Sequence, residues 1–300
     1  MSLFGSSSTS HASSQTPTSL GGYEIIRMIG EGAGSLIYAA SDPNTRQVYA
    51  LKHVVREKDK DVRFVEQLET EHEVGKVVRH PGLRRTFDLK INKNLLFKIT
   101  EAFLVMELFD GRPLEFNVPK TVTGIVDVFI KTAEALDALH LLGYVHCDLK
   151  PNNILIGDGG VVKVIDLGQA AKTGTAKSRI QGTPDYIAPE QVKCQPVTFR
   201  TDVYNLGTTM YWTLTGGQKL PTLYTLKKSE NSMLVDDLLP SPAKVNPKVP
   251  EPLSNLVMEC VRVNPIKRPK GMADIARRLE IIRHVVAKEE GLAPSPVTSE

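Results

Sequence analysis

The segment His146-Cys147-Asp148-Leu149-Lys150-Pro151-Asn152-Asn153 concentrates more usable chemistry than any other stretch of the chain. Asp148 offers a carboxylate suited to accepting a proton, and Asn153 offers an amide oxygen suited to a metal ion. Pro151 makes a helix poor here, so the segment reads as a loop between a helix and a short strand. Asp166-Leu167-Gly168 follows an apolar strand and supplies a second hard oxygen ligand of the kind Mg²⁺ prefers. Lys52 follows Ala50-Leu51 on a strand, and Glu71 lies on the helix after it. A lone strand lysine is usually a solvated surface group, but a glutamate partner would orient it toward phosphate. Gly30-Glu31-Gly32-Ala33-Gly34-Ser35 lies between two strands. Glycines there let a backbone approach phosphate oxygens, and a plain hairpin turn reads the same residues equally well. Because a strand follows rather than a helix, the segment is unlike a Rossmann or Walker site. Together these are the parts that phosphoryl transfer requires: a cradle, a cation, two metal ligands and a carboxylate near the acceptor.

The elements that must position these groups fall into two blocks. Tyr23–Ile29, Leu36–Ala40 and Val48–Val55 read as a strand meander, with Pro43-Asn44 as a turn signal. Residues 61–79 carry Phe64, Val65 and Leu68 at helical spacing, and His80-Pro81-Gly82 ends that helix. Two strands are predicted at Phe97–Ala102 and Phe103–Leu108. Val122–Leu142 is apolar at Ile125, Val128, Phe129, Ala133, Leu136 and Leu139, the pattern of a buried helix. Short strands at Ile154–Ile156 and Val161–Val164 follow, then loops, then helices to about Val286.

Bulk properties narrow the function classes. A chain of 300 residues with 41% hydrophobic and 24% charged residues is globular and long enough for two lobes. The net charge of +3 comes without basic stripes, so no nucleic acid partner is expected. Cys147, Cys194 and Cys260 are scattered, which fits a reducing compartment and no metal-binding spacing. No apolar run is long enough to span a bilayer and no signal peptide opens the chain, so no membrane is expected within this chain and a cytoplasmic location is. Residues 1–20 are about half Ser and Thr with few large apolar groups, too few to fold on.

With these motifs in order, the chain resembles the eukaryotic-type (Hanks-type) Ser/Thr protein kinases over roughly residues 22–288. Ala188-Pro189-Glu190-Gln191 and Thr201-Asp202-Val203-Tyr204 are closer to its bacterial members. The resemblance implies an α+β, bilobal protein-kinase fold. Its parts would be a disordered tail at 1–21, a strand-rich N-lobe at 22–106 and a hinge at 107–111. A helical C-lobe at 112–288 and a short tail at 289–300 would follow. It implies ATP and Mg²⁺ as cofactors, proteins with Ser/Thr acceptors as substrates, and autophosphorylation. By similarity Gly30, Gly32, Ser35 and Ile37 cover the nucleotide, while Ala50, Ile37 and Leu155 sandwich adenine. Backbone groups of Glu107 and Phe109, next to a gatekeeper Met106, bond the adenine edge. Lys52 contacts phosphates and pairs with Glu71; Asp148 accepts the substrate proton; Lys150 steadies the transferring phosphate; Asn153 and Asp166 hold Mg²⁺. Glu190 would pair with Arg268, and the helix carrying Asp202 would support the catalytic loop. Lys150 with Thr183 is the Ser/Thr rather than the Tyr pattern.

Three positions depart from the family. Leu167 replaces a phenylalanine, a mild packing change. Cys147 replaces an arginine that receives activation-segment phosphate in many kinases, so phosphorylation of Thr173, Thr175 or Ser178 is expected to act weakly. Gly75 stands one turn after Glu71, where a bulky apolar residue is usual. Either it leaves a gap that loosens the helix, or an aromatic such as Phe87, Phe97 or Phe103 fills the space. Two other functions stay open on the residues alone, a pseudokinase scaffold and a small-molecule kinase. Retention of Lys52, Asp148, Asn153 and Asp166 weighs against the first, and the Thr183–Glu190 segment against the second.

Overall fold

The computed structural model describes residues 17–32, 34–220 and 239–291. The N-terminal part is built on β1 (Ser19–Leu20), β2 (Tyr23–Gly32), β3 (Ser35–Ser41), β4 (Val48–Val55), β5 (Thr86–Lys93) and β6 (Ile99–Met106). They form one antiparallel sheet in the order β1-β2-β3-β4-β6-β5. Helix α1 (Val62–Gly75) crosses one face. Strand alternation explains why both faces are apolar. Ala102, Leu104 and Met106 of β6 pack with Ala50, Val54, Val65 and Leu68 toward α1. Phe103 and Val105 point the other way and pack with Leu51, Tyr23 and Tyr49.

The C-terminal part is helical. Two short strands come first, β7 (Gly111–Pro113) and, after α2 (Val122–Leu141), β8 (Tyr144–Val145). Then come β9 (Ile154–Gly157), β10 (Val162–Val164) and β11 (Ala171–Lys172). Among the described residues the helices α3 (Pro189–Val192), α4 (Phe199–Leu214), α5 (Pro242–Val245), α6 (Glu251–Cys260) and α7 (Met272–Glu289) follow. One core of Phe129, Leu136, Leu139, Met210, Leu256 and Leu279 joins α2, α4, α6 and α7. Strand pairs β10-β9-β7 and β11-β8 stand at the top of this core, and the loops between them carry the polar motifs. Fold class and the two-lobed order are therefore as the sequence implied.

Several boundaries differ from the reading above. Strands at Phe97–Ala102 and Phe103–Leu108 are a single strand, β6, paired with a strand not foreseen, β5. The Phe97 amide closes a turn on the Asn94 carbonyl at 2.9 Å, and Asn94 Oδ1 accepts from the amides of Leu96 and Lys98 at 2.9 and 3.0 Å. Phe97 thus ends a hairpin tip, after Leu95 and Leu96, and does not start a strand. Ordered structure begins before residue 22, because Ser19–Leu20 pairs with Tyr23 and Glu24. It also extends past residue 288. The Glu290 carboxylate accepts from the amides of Val122 and Thr123 at 2.9 and 3.2 Å, satisfying orphan donors at the start of α2. The rest of both expected tails, residues 1–16 and 292–300, lies outside the described residues.

Gly75 leaves no gap. A Cβ built there would lie 2.6 Å from Thr86 Cγ2 and 2.8 Å from Thr86 Oγ1. Thr86 is buried, and its hydroxyl sits 3.2 Å from the His72 carbonyl. The space is filled by a β-branched side chain from β5, not by an aromatic. Phe87 and Phe97 are exposed, and Phe103 belongs to the opposite face of the sheet. The expectation of a loosened helix therefore fails: α1 is seated, and Glu71 is buried.

Candidate active site

Lys52 projects from β4, flanked by Ala50 and Val54 of the same strand face, and meets α1 where Glu71 enters the interior. Its Nζ lies 2.7 Å from Glu71 Oε2 and 3.2 Å from Asp166 Oδ1. This one ammonium ties a strand, a helix and the loop after β10. Burial alone would push its pKa down, but the carboxylates of Asp166 and Glu71 outweigh burial and hold it above the ordinary lysine value. Lys52 likewise holds the Asp166 carboxyl well below the ordinary carboxylate value against the opposing effect of burial, with help from Lys150 and His146. Asp166 adopts a left-handed backbone, φ 65°, the strained geometry that turns its side chain back toward Lys52.

Below this triad, the loop of residues 146–153 connects β8 to β9. Asp202, fully buried on α4, accepts from the His146 amide at 2.7 Å and the Cys147 amide at 2.9 Å, and its Oδ2 meets His140 Nε2 at 2.8 Å. Those bonds hold Cys147 at φ 67°, which sends the chain sharply back to present Asp148. Burial pushes the Asp202 carboxyl up, but hydrogen bonding and charge from His140, then His146, bring it below the ordinary value. Asp148 Oδ1 accepts from the amide and the hydroxyl of Thr183, each at 2.8 Å. Lys150 Nζ lies 3.0 Å from Asp148 Oδ2 and 2.8 Å from Thr183 Oγ1. The carboxylate thus already holds one aliphatic hydroxyl at the distance a general base requires.

The residues fit a divalent cation and a nucleotide. Asn153 Nδ2 donates to the Asp148 carbonyl at 2.8 Å, which leaves its Oδ1 free for a cation. Asp166 uses Oδ1 for Lys52 and keeps its second oxygen. Two hard oxygens, completed by phosphate and water, suit Mg²⁺. Among the described residues no cluster of three His, Cys, Asp or Glu is assembled to hold a metal by itself. Gly30 and Gly32 face Ile37 and Ser35 across the β2–β3 hairpin. At Gly34 the glycine is required, since φ is +76° and a Cβ would lie 2.5 Å from the Phe64 ring. Ala50, Met106 and Leu155 are buried and Ile37 is half-buried. At Glu107 the amide is spent on the Arg85 carbonyl at 3.0 Å, so its carbonyl is the backbone group left for a ligand.

Some residues of the site were not singled out from sequence. Gln191 on α3 donates to the Cys147 carbonyl at 2.7 Å, and its Oε1 accepts from the Ala188 amide at 3.0 Å. It sews the end of the activation segment to the catalytic loop. Lys177 donates to the Gln169 carbonyl at 2.5 Å, and burial lowers its pKa. Lys163 meets Glu107 at 2.7 Å behind the hinge. Arg84 is buried with an unpartnered Nε; burial pushes its pKa down, opposed by Glu71, Glu107 and Asp166. Three cations, Lys52, Arg84 and Lys163, therefore balance three carboxylates, Glu71, Asp166 and Glu107. A periodic signal could not reveal these partners, because each comes from a different element.

The support below the loop matches what the resemblance implied. Arg268 and Glu190 form a buried two-bond pair at 2.8 and 3.0 Å. Arg268 also donates to the carbonyls of Arg262, Arg200 and Val263 and lies 4.9 Å from the Tyr204 ring centroid.

Comparison with known proteins agrees with this geometry. The protein kinase domain model matches residues 23–279. A probable serine/threonine-protein kinase of Clostridium acetobutylicum is 27% identical over 270 residues, covering 87% of this chain and 40% of its own length. Serine/threonine-protein kinase PknD of Chlamydia pneumoniae is 27% identical, covering 86% of this chain and 31% of its own length. Serine/threonine-protein kinase PknA of Mycobacterium tuberculosis is 32% identical over 204 residues, covering 65% of this chain and 47% of its own length. The chain thus spans less than half the length of these relatives. By the match over most of its residues, it belongs to the protein kinase domain family.

Proposed function

We propose that the chain transfers the γ-phosphoryl group of ATP, as its Mg²⁺ complex, to Ser and Thr hydroxyls of proteins. The observation that carries this reading is Lys52 Nζ bonded to both Glu71 and Asp166. The cation that would meet the phosphates is oriented, and a metal ligand is held ionised beside it. Asp148 accepts the acceptor's proton, and Lys150 neutralises charge on the phosphoryl group in flight. Asn153 and Asp166 would hold Mg²⁺, which when bound would supply the remaining charge neutralisation. Gly30, Gly32, Ser35 and Ile37 cover the nucleotide, and Ala50, Leu155 and backbone groups of Glu107 and Phe109 receive adenine. The reading places the reaction in the cytoplasm, where free thiols persist; all three cysteines are free. No described helix is long and apolar enough to cross a membrane.

Autophosphorylation belongs to this reading. Thr173, Thr175 and Ser178 are exposed. Ser178 lies at a cleft of about 500 Å³ that Lys60, Arg63 and Arg179 also line, so a phosphate there would meet cations although Cys147 supplies none. The test is incubation of the purified chain with radiolabelled ATP and a generic basic protein, with Mg²⁺ or with a chelator, followed by phosphoamino-acid analysis. Phosphoserine or phosphothreonine formed only with Mg²⁺ is the expected result. Absence of transfer to any protein would leave the scaffold reading, and transfer only to small molecules would replace the substrate class.

A further inference from the structure

The tip of the β5–β6 hairpin reads Lys93-Asn94-Leu95-Leu96-Phe97-Lys98. Leu95, Leu96 and Phe97 are 98%, 76% and 85% exposed. Single exposed apolar residues are ordinary, but three in succession on a projecting turn call for a reason. The turn is well fastened: beyond the bonds already given, the Asn94 amide donates to the Lys98 carbonyl at 2.9 Å. Phe97 occupies the left-handed position that ends this three-residue loop, φ 60°. Glycine or asparagine is the comfortable choice there. The sequence instead places a strained aromatic whose ring packs on nothing. A local rule broken with no gain inside the fold points to a gain outside it.

Charge says what kind of partner fits. Lys93 and Lys98 are exposed and bracket the apolar tip on both sides. Lys90 is already spent on the Gly21 carbonyl at 3.0 Å and the Tyr23 ring. Glu101, the acid nearest in the hairpin, is engaged by His53 and Asn92, each at 2.9 Å. A symmetric contact with a second copy through this tip would bring lysines against lysines. A convex tip also needs no matching groove if its partner is a bilayer, whose interface accepts apolar groups and whose anionic headgroups attract lysine.

We infer that the hairpin tip is a peripheral membrane contact. Leu95, Leu96 and Phe97 enter the interfacial zone of an anionic bilayer, and Lys93 and Lys98 meet its headgroups. The contact is reversible and brings the kinase domain to the lipid surface; it involves no spanning segment. Sedimentation of the full chain with vesicles tests it, using neutral phosphatidylcholine alone or with about a third phosphatidylserine. The chain is expected to bind the anionic vesicles. The triple variant Leu95→Ser, Leu96→Ser, Phe97→Asn should lower the partition coefficient by about 10-fold or more. The pair Lys93→Ala, Lys98→Ala should weaken binding and remove the preference for anionic lipid. Neither variant should change phosphorylation of a soluble peptide, and the triple variant should melt no lower than the parent. The inference is overturned if the parent binds anionic vesicles no better than neutral ones, or if the triple variant binds as the parent does. It is also overturned if the tip residues govern self-association in gel filtration while vesicles recruit neither form.

Discussion

The two halves of the site are held in different ways. The loop that presents Asp148 is fastened from several directions, by Asp202, Gln191 and Asn153. The Lys52–Glu71 pair above it rests on one helix, and the ammonium itself reaches the lower part through its 3.2 Å contact with Asp166. Below, the side chains that position the chemistry also hold the fold together. Above, the charges that perform the chemistry balance one another and contribute little else to the fold. Substitutions of the groups that clamp the loop should therefore cost stability, and those of the charged groups around Lys52 should cost activity.

Asp166→Ala breaks the upper half and gives the largest effect. It removes one metal ligand and the partner of Lys52, so turnover at saturating Mg·ATP should fall on the order of 10²-fold or more while the cooperative fold remains. Steady-state kinetics beside a melting curve would show it. Arg268→Leu breaks the lower half. It leaves Glu190 buried and unpaired and should cost roughly 3–5 kcal/mol in urea unfolding. A loss under about 1 kcal/mol, the scale of an exposed pair, would mean the pair does not organise the lobe.

Asp202→Asn tests the clamp on the loop. An amide cannot replace a carboxylate that accepts from two amides beside His140, and about 1.5–3 kcal/mol of stability should go. The folded pKa of Asp202 lies below the ordinary 3.8, so its contribution is present above that value and is lost as pH falls through the folded pKa. Below about pH 4 the parent should thus lose stability more steeply than the variant. Parallel slopes would remove the linkage. Gly75→Leu sharpens the comparison from the upper side. With Thr86 already against the glycine, leucine should overpack and cost roughly 1–3 kcal/mol without raising activity. A variant that melted higher and worked faster would restore the gap.

The lower half was legible in sequence because its chemistry is local. Asp148, Lys150 and Asn153 share one loop, so residue type and order were enough; Asp166 of the upper half was legible in the same way, because it follows one short apolar strand. Pairing of Glu190 with Arg268 came through the family resemblance, since no periodicity links two segments so far apart. Thr86 against Gly75 was not legible: a missing side chain shows in sequence, but the neighbour that fills its place does not. Phe97 was placed in a strand, and the tip it ends was not foreseen, for a physical reason. Leu95-Leu96-Phe97 has the composition of a buried strand, and its turn is closed by Asn94 without a glycine to mark it.

The account rests above all on Asp148 as the acceptor of the substrate proton. Asp148→Asn keeps the shape of the side chain and, through Oδ1, its contact with Thr183, but loses the basic oxygen and with it the ion pair to Lys150. Single-turnover phosphorylation of a Ser/Thr peptide at saturating Mg·ATP measures this step directly. The rate should fall on the order of 10²-fold or more with nucleotide affinity and melting temperature unchanged. A near-normal rate in that variant would contradict the account.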